Sequence, residues 1–219
     1  IYHPHDLQHK HLPQYFSMSK RLIRELLYRL FCNRARLVAV VSDRIKTDLI
    51  RFYNLSQEKV KVIHLAPVMS AYQKPTLKDL SDTRHKFILP DMFVFYPAQT
   101  WPHKNHVGLL KAVAFIRERF GMVVPVVFAG SIYEPFFKEI QDQIQKLSLS
   151  EQTRMLGFVT PLELQCLYQL ARCVVIPTKY EAGSFPLWEA FLSGVPAACS
   201  NVTSLPAQAG DAALIFDPD

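Results

Sequence analysis

Short apolar runs rich in β-branched residues alternate along this chain with stretches whose apolar positions recur every three or four residues. Residues 37–42 (LVAVVS) form the first such run, the pattern of a strand buried on both faces of a parallel sheet. A helical pattern follows at 43–54 (DRIKTDLIRFYN), and VKVIHLA at 60–66 predicts a second strand. From Pro67 to Pro90 the segment turns polar and proline-punctuated. It predicts a linker at 71–90 between a first unit, 1–70, and a second, 91–219. The second unit predicts strands at 92–98, 123–130, 153–159, 173–178 and 195–200, with an apolar LIF near the end. Helices are predicted at about 105–120, 134–147 and 162–171, and again after Ser184. Strict alternation specifies an α/β chain with doubly wound parallel sheets, whose ligands lie beyond the carboxyl ends of the strands. Chemistry is therefore expected in the loops that follow strands: His5-Asp6, Tyr96 to Asn105, Gly130-Ser131, Gly157 to Thr160, and Tyr180 to Phe185.

Of these loops, the one in KYEAGSFPLWEAFLSGVPAACS (179–200) carries the most definite chemistry. Ser184 suits the N-cap of the following helix and Pro186 its first turn, while Gly194 supplies a left-handed end and Pro196 forbids continuation. A helix N-terminus offers unpaired N–H groups and partial positive charge to an anion, so a phosphate fits there. Glu181 precedes that terminus and Glu189 follows about one turn inside it, so carboxylate acceptors for hydroxyls flank the anion site.

Composition narrows the class. With 219 residues, 49% of them hydrophobic, the chain can bury one large core or two modest ones. No run reaches the roughly 18 apolar residues of a membrane span, and the start has no signal-peptide pattern. The first residue is Ile1 and the chain stops just after AALIFDPD, so both ends are expected to be cut from a longer protein. Cys32, Cys166, Cys173 and Cys199 form no CxxC pair and lie in apolar surroundings, which predicts buried thiols in a reducing compartment, no disulfide and no zinc. The net charge of +6 and pI near 9.1 imply an anionic partner. Between residues 20 and 36, Lys20, Arg21, Arg24, Arg29, Arg34 and Arg36 interleave with Leu22, Ile23, Leu26, Leu27, Leu30 and Phe31. That pattern fits an amphipathic surface helix packed on a sheet, or one lying on an anionic bilayer. Nucleic acid is not expected, since no basic motif with interleaved aromatics for stacking bases is present.

The Glu-x7-Glu segment, with YPAQTWPHKNH upstream and SLPAQAGDAALIFDP downstream, resembles the second domain of a retaining GT-B glycosyltransferase of family 4 (glycosyl transferases group 1). HDLQHKHLPQYFS resembles the last strand-loop part of that family's acceptor domain. The resemblance implies two Rossmann-like domains, the first partial and the second, which binds the nucleotide-sugar donor, nearly complete. By the same resemblance His5, Lys104 and Glu181 belong to the reaction centre: His5 near the sugar, Lys104 neutralising the donor diphosphate and Glu181 reaching the hydroxyls of the transferred sugar. Glu189 would bind the ribose hydroxyls, Gly157 and Phe158 would read the base, and Gly130 would lie beneath the diphosphate. Gly183, Ser184 and Phe185 would present backbone N–H groups to the phosphates.

The chain departs from the family pattern in two places. Ala98, Gln99 and Thr100 stand where an arginine often precedes the lysine, leaving Gln99 or His103 to supply hydrogen bonds. The family's SLPE motif reads Ser204-Leu205-Pro206-Ala207, and no replacement for its acid is evident in the sequence. The histidines His3, His5, His9 and His11 invite a metal, but Asp6 is the only nearby acid and the family generally needs none, so neither metal nor cofactor is expected. A carboxylate pair also suits a glycosidase, although those acids usually come from different strands.

The implied function is transfer of a sugar from a GDP- or UDP-linked donor to a glycan or lipid-linked acceptor with retention. The motif forms most resemble bacterial mannosyltransferases of surface-polysaccharide assembly, which favours mannose. A cytoplasmic location, peripheral on the inner face of the membrane, would follow. The rivals are a sugar-nucleotide epimerase or phosphorylase of the same fold, and a fragment that binds a nucleotide-sugar without turning it over.

Overall fold

The computed structural model describes residues 1–67 and 74–219. In the first unit a short helix, α1 (Gln8–His11), leads into α2 (Met18–Arg34), and β1 (Val38–Val40) pairs in parallel with β2 (Val60–Val62) across α3 (Asp43–Tyr53). Tyr2 adds a parallel bridge to Val38. Ser42 caps α3 through its side chain, and Asn54 closes it in the left-handed conformation that asparagine tolerates. Leu7, Cys32, Val38, Val40, Ile45, Leu49 and Val60 form a fully buried core.

The second unit contains α4 (Leu77–Lys86), β3 (Val94–Pro97), α5 (His106–Phe120), β4 (Val126–Ala129), α6 (Glu134–Lys146), β5 (Thr153–Met155), α7 (Pro161–Leu170), β6 (Cys173–Ile176), α8 (Phe185–Leu192), β7 (Ala197–Ser200), α9 (Leu205–Ala209) and β8 (Leu214–Phe216). Its strands form one parallel sheet in the order β5-β4-β3-β6-β7-β8. Every residue of β4 is buried, as expected of a strand covered on both faces. The order reverses between β3 and β6. Their following loops therefore diverge and open a crevice at the carboxyl edge, where such sheets bind ligands.

Most of the predicted elements form, with strands trimmed at their ends. The run at 123–130 yields only Val126–Ala129, because Pro125 has no N–H for the ladder and Met122 and Val123 stand exposed. The run at 153–159 stops at Met155, ahead of Gly157 in the left-handed region. Within the segment read as linker, residues 71–73 lie outside the described residues, and 77–86 forms α4. Thr76 and Asp79 build a reciprocal capping box, and α4 packs on α7, with Lys86 ion-paired to Glu163 at 2.5 Å. Polar composition concealed a helix stabilised by its cap and its neighbour.

Helix α2 forms over the basic amphipathic stretch, but it buries only Cys32. Leu22, Ile23, Leu26, Leu27, Leu30 and Phe31 are exposed, so among the described residues the helix is not packed on a sheet by its whole apolar face.

Gly130 and Gly121 both have positive φ, +145° and +65°, but only Gly130 is crowded. A Cβ there would lie 2.4 Å from the Ala98 carbonyl oxygen, whereas nothing approaches Gly121 within 4 Å. Gly130→Ala is expected to cost about 2–4 kcal/mol in urea denaturation and Gly121→Ala about 1 kcal/mol. Equal losses would refute the close approach of the β3 and β4 loops.

Candidate active site

The two loops at the switch point bring together the residues with the clearest chemistry. Tyr96, the penultimate residue of β3, is fully buried and donates its hydroxyl to the Lys104 carbonyl at 2.9 Å, which folds the loop back over the strand. A 3-10 turn, Pro102–Lys104, and left-handed Asn105 then start α5. Asn105 Nδ2 donates to the Pro177 and Pro218 carbonyls, while Thr178 Oγ1 and Lys179 N donate to the His103 carbonyl at 3.0 and 2.7 Å. The β3 and β6 loops are thereby stitched together. Lys104 Nζ meets Glu181 Oε2 at 2.6 Å, with the two side chains 18% and 13% exposed. At that burial the pair is screened far less than a surface ion pair.

Glu181 is also held through its backbone. Its N–H donates to Thr203 Oγ1 at 2.9 Å, and its carbonyl accepts from Thr203 Oγ1 at 2.6 Å and Ser204 Oγ at 2.8 Å. On its other flank Tyr180 enters the core of the first unit, where its hydroxyl accepts the Leu7 N–H at 3.0 Å, and Ser42 Oγ donates to the Ala182 carbonyl at 2.9 Å.

Ser184 caps α8 by accepting the Leu187 N–H, with Pro186 in the first turn, and Gly194 follows the helix at φ +68°. The expectation that Ser184 presents a free N–H to phosphate is corrected: Gln208 Oε1 accepts it at 2.9 Å. Gln208, one residue beyond SLPA, also lies 3.3 Å from Ser204 Oγ, so the polar contact absent at Ala207 is supplied next door. Phe185 N–H finds no acceptor among the described residues.

Gly130, Phe158, Phe185 and Glu189 line one cavity of about 290 Å3 with Gln99, Ser131, Val159, Leu164 and Pro186. Gly157 supports it from behind, accepting the Gly130 N–H at 2.8 Å. Glu189 accepts a hydrogen bond from Tyr168 Oη at 2.7 Å. Burial raises its pKa above the ordinary carboxylate value, and the Tyr168 hydrogen bond opposes that shift. His103 is pushed down to about 3, mainly by burial and then by Lys104, so it offers a neutral hydrogen-bonding imidazole and no second positive charge.

Gly183 stands apart from these residues. Its α-carbon faces Leu65 and Val41 of the first unit and lines a larger cavity, of about 520 Å3, with Ser42, His64, Trp188 and Gln208. That cavity contains neither Lys104 nor Glu189 and is mainly apolar, so size does not locate the chemistry. His5 is exposed, its ring edge-on to His3 at 4.8 Å. The Leu7–Tyr180 hydrogen bond brings its loop against that of Glu181, although among the described residues no hydrogen bond or ion pair joins His5 to Lys104 or Glu181. The other histidines point elsewhere: His3 to the Ala39 carbonyl, His11 to Asp48 at 2.7 Å, and His9 into a buried position against Tyr28.

Sequence reasoning missed Tyr168, Thr203, Gln208 and the insertion of Tyr180. Ser204 beside Thr203 was noted as a motif residue. Tyr168, by contrast, reads as an ordinary apolar position of α7.

Residues 79–219 match the family Glycosyl transferases group 1, and residues 1–66 match Glycosyltransferase Family 4. O-antigen chain mannosyltransferase B of Escherichia coli is 30% identical over 217 residues, covering 98% of this chain and 56% of that protein. O-antigen chain mannosyltransferase RfbU of Salmonella typhimurium is 25% identical over 215 residues, with the same two coverages of 98% and 56%. The chain thus spans about half the length of these curated relatives. The crystal structure of Anabaena Alr3699/HepE in complex with UDP and glucose superposes with a TM-score of 0.81 at 23% identity, covering 99% of this chain and 57% of that one. The shared fold is GT-B.

Lys104→Met leaves Glu181 without its counter-charge and is expected to destabilise the chain by about 1–3 kcal/mol, with a smaller loss in the double variant Lys104→Met/Glu181→Gln. Additive losses in urea denaturation would show the two side chains to be uncoupled.

Proposed function

The chain belongs to the glycosyl transferases group 1 family, and from that premise we infer that its cleft transfers a sugar, with mannose favoured, from a nucleotide-sugar to an acceptor hydroxyl with retention. The observation that carries this reading is the Lys104–Glu181 pair at the switch point, next to a cavity walled by Glu189. Ribose hydroxyls donate to Glu189, whose geometry Tyr168 fixes, while the base lies against Phe158 and Val159. A donor diphosphate carries more negative charge than one carboxylate and competes for Lys104. Glu181 is then released to accept from sugar hydroxyls. The Phe185 N–H and the positive end of α8 add to the stabilisation of the leaving diphosphate.

No protein nucleophile is needed in this scheme. The bond from the anomeric carbon to the phosphate oxygen breaks, the acceptor oxygen bonds to the same face, and its proton passes to the departing phosphate. The similarity to an O-antigen chain mannosyltransferase supports mannose as the sugar, and the UDP bound in the Anabaena protein supports the uridine alternative for its carrier.

Calorimetric titration with GDP, UDP and ADP tests the site. One nucleotide is expected to bind, about tenfold or more weaker in both Lys104→Ala and Glu189→Ala. Absence of binding by the folded chain refutes the reading, and binding without sugar transfer supports a non-catalytic module. Affinity is expected to be full above the raised Glu189 pKa and to fall as pH drops through it, since the protonated acid loses acceptor capacity. Tyr168→Phe removes the hydrogen bond that favours the carboxylate and should move the midpoint to higher pH. An unchanged midpoint counts against Glu189 as the ribose ligand.

The second partner is an anionic membrane surface, supported by the exposed apolar and basic residues of α2. No helix among the described residues is long and apolar enough to cross a membrane. Sedimentation with phosphatidylglycerol vesicles should exceed that with phosphatidylcholine and fall when Leu22, Leu26 and Arg29 are replaced by Ser. No binding to either would assign the face to protein packing.

A further inference from the structure

Beside the nucleotide cavity, outside its lining, stands an aromatic surface that the reading above leaves unused. Trp101 and Tyr133 stack with ring centroids 4.1 Å apart and planes inclined by 17°, and Trp101 remains 40% exposed. The stack is built into the backbone. Buried Thr100 accepts the Tyr133 N–H at 2.6 Å and donates its own N–H to the Ser131 carbonyl, joining the loops after β3 and β4. Trp101 N–H bonds to the Gln99 carbonyl, and its own carbonyl accepts the Lys104 N–H at 2.9 Å. The indole Nε1 donates to Gln99 Oε1 at 2.5 Å, which orients that exposed amide. A flat face is thus held rigid in solvent, one turn from the Lys104–Glu181 pair.

We propose that the exposed face of Trp101 is a subsite for a pyranose ring of the acceptor glycan. The proposal rests on the glycosyltransferase reading of the cleft. A sugar ring presents an apolar C–H face and a rim of hydroxyls. Trp101 matches the first, and the exposed Gln99 amide and Ser131 hydroxyl, uncharged donors and acceptors on the rim that the platform shares with the nucleotide cavity, match the second. A nucleobase would also stack on an indole. Here, however, the base has its own apolar walls in Phe158, Val159 and Leu164, in a cavity that Trp101 and Tyr133 do not line. Rigidity matters because a face already ordered loses little entropy when a ligand covers it.

Calorimetric titration of an α-linked mannotriose, alongside the nucleotide that binds best, into the chain and its Trp101→Ala and Trp101→Phe variants tests this, with thermal unfolding confirming the fold of each. Mannotriose binding should weaken about tenfold in Trp101→Ala and stay within about threefold in Trp101→Phe, which keeps a flat ring, while nucleotide affinity holds in both. Loss of nucleotide affinity in Trp101→Ala would assign the platform to the base and overturn the proposal. Mannotriose binding that is absent, or indifferent to Trp101, would overturn it too, even with nucleotide binding intact. Failure of the nucleotide to bind the unaltered chain is the separate signature that the donor-site reading has failed.

Discussion

The backbone of residues 178–184 is the constraint on which the cleft depends, because it must hold a carboxylate at the switch point while bridging two cores. Thr178 is tied to the β3 loop through the His103 carbonyl. Tyr180 is inserted into the first unit, fully enough to count among its core. Glu181 has both backbone groups taken by Thr203 and Ser204, and Ala182 accepts from Ser42. Burial of an aromatic ring of this size contributes on the order of 2–3 kcal/mol, so Tyr180 anchors the loop firmly to the first unit. Placement of Glu181 is therefore coupled to the first unit, although the side chain belongs to the second.

Electrostatics act within that frame. Lys104 and Glu181 are too buried to be left unpaired cheaply, and each satisfies the other at 2.6 Å. Among the described residues Glu189 has no such cation. Its carboxyl is disfavoured in the charged form by burial, a cost that the Tyr168 hydroxyl offsets in part. The two glutamates, eight positions apart, thus have different environments: one balanced by a charge that a phosphate can claim, the other by a neutral donor suited to a hydroxyl-bearing ligand.

Much of this was legible in the residues themselves. The alternation of runs set the fold class. Glu181, Ser184, Pro186, Glu189 and Gly194 announced a helix with its start, its stop and two acids, because capping and turn chemistry are local and act over three or four residues. Lys104 was recognisable only through resemblance, and its pairing with Glu181, 77 residues away, was not. Helix α4 was hidden because its polar composition outweighed a capping box that the sequence does contain.

The sequence by itself determined most of the strands and helices, α4 excepted, where the turns and caps fall and which side chains could serve as acceptors or counter-charges. Tertiary structure alone decided the strand order and hence the switch point, the engagement of the Ser184 N–H by Gln208, the Tyr168 contact to Glu189 and the seating of Tyr180 in the neighbouring core. The physical reason is range. Propensities and caps are written in adjacent residues, whereas hydrogen bonds and burial between segments 21 to 173 positions apart exist only once the sheet has brought those segments together.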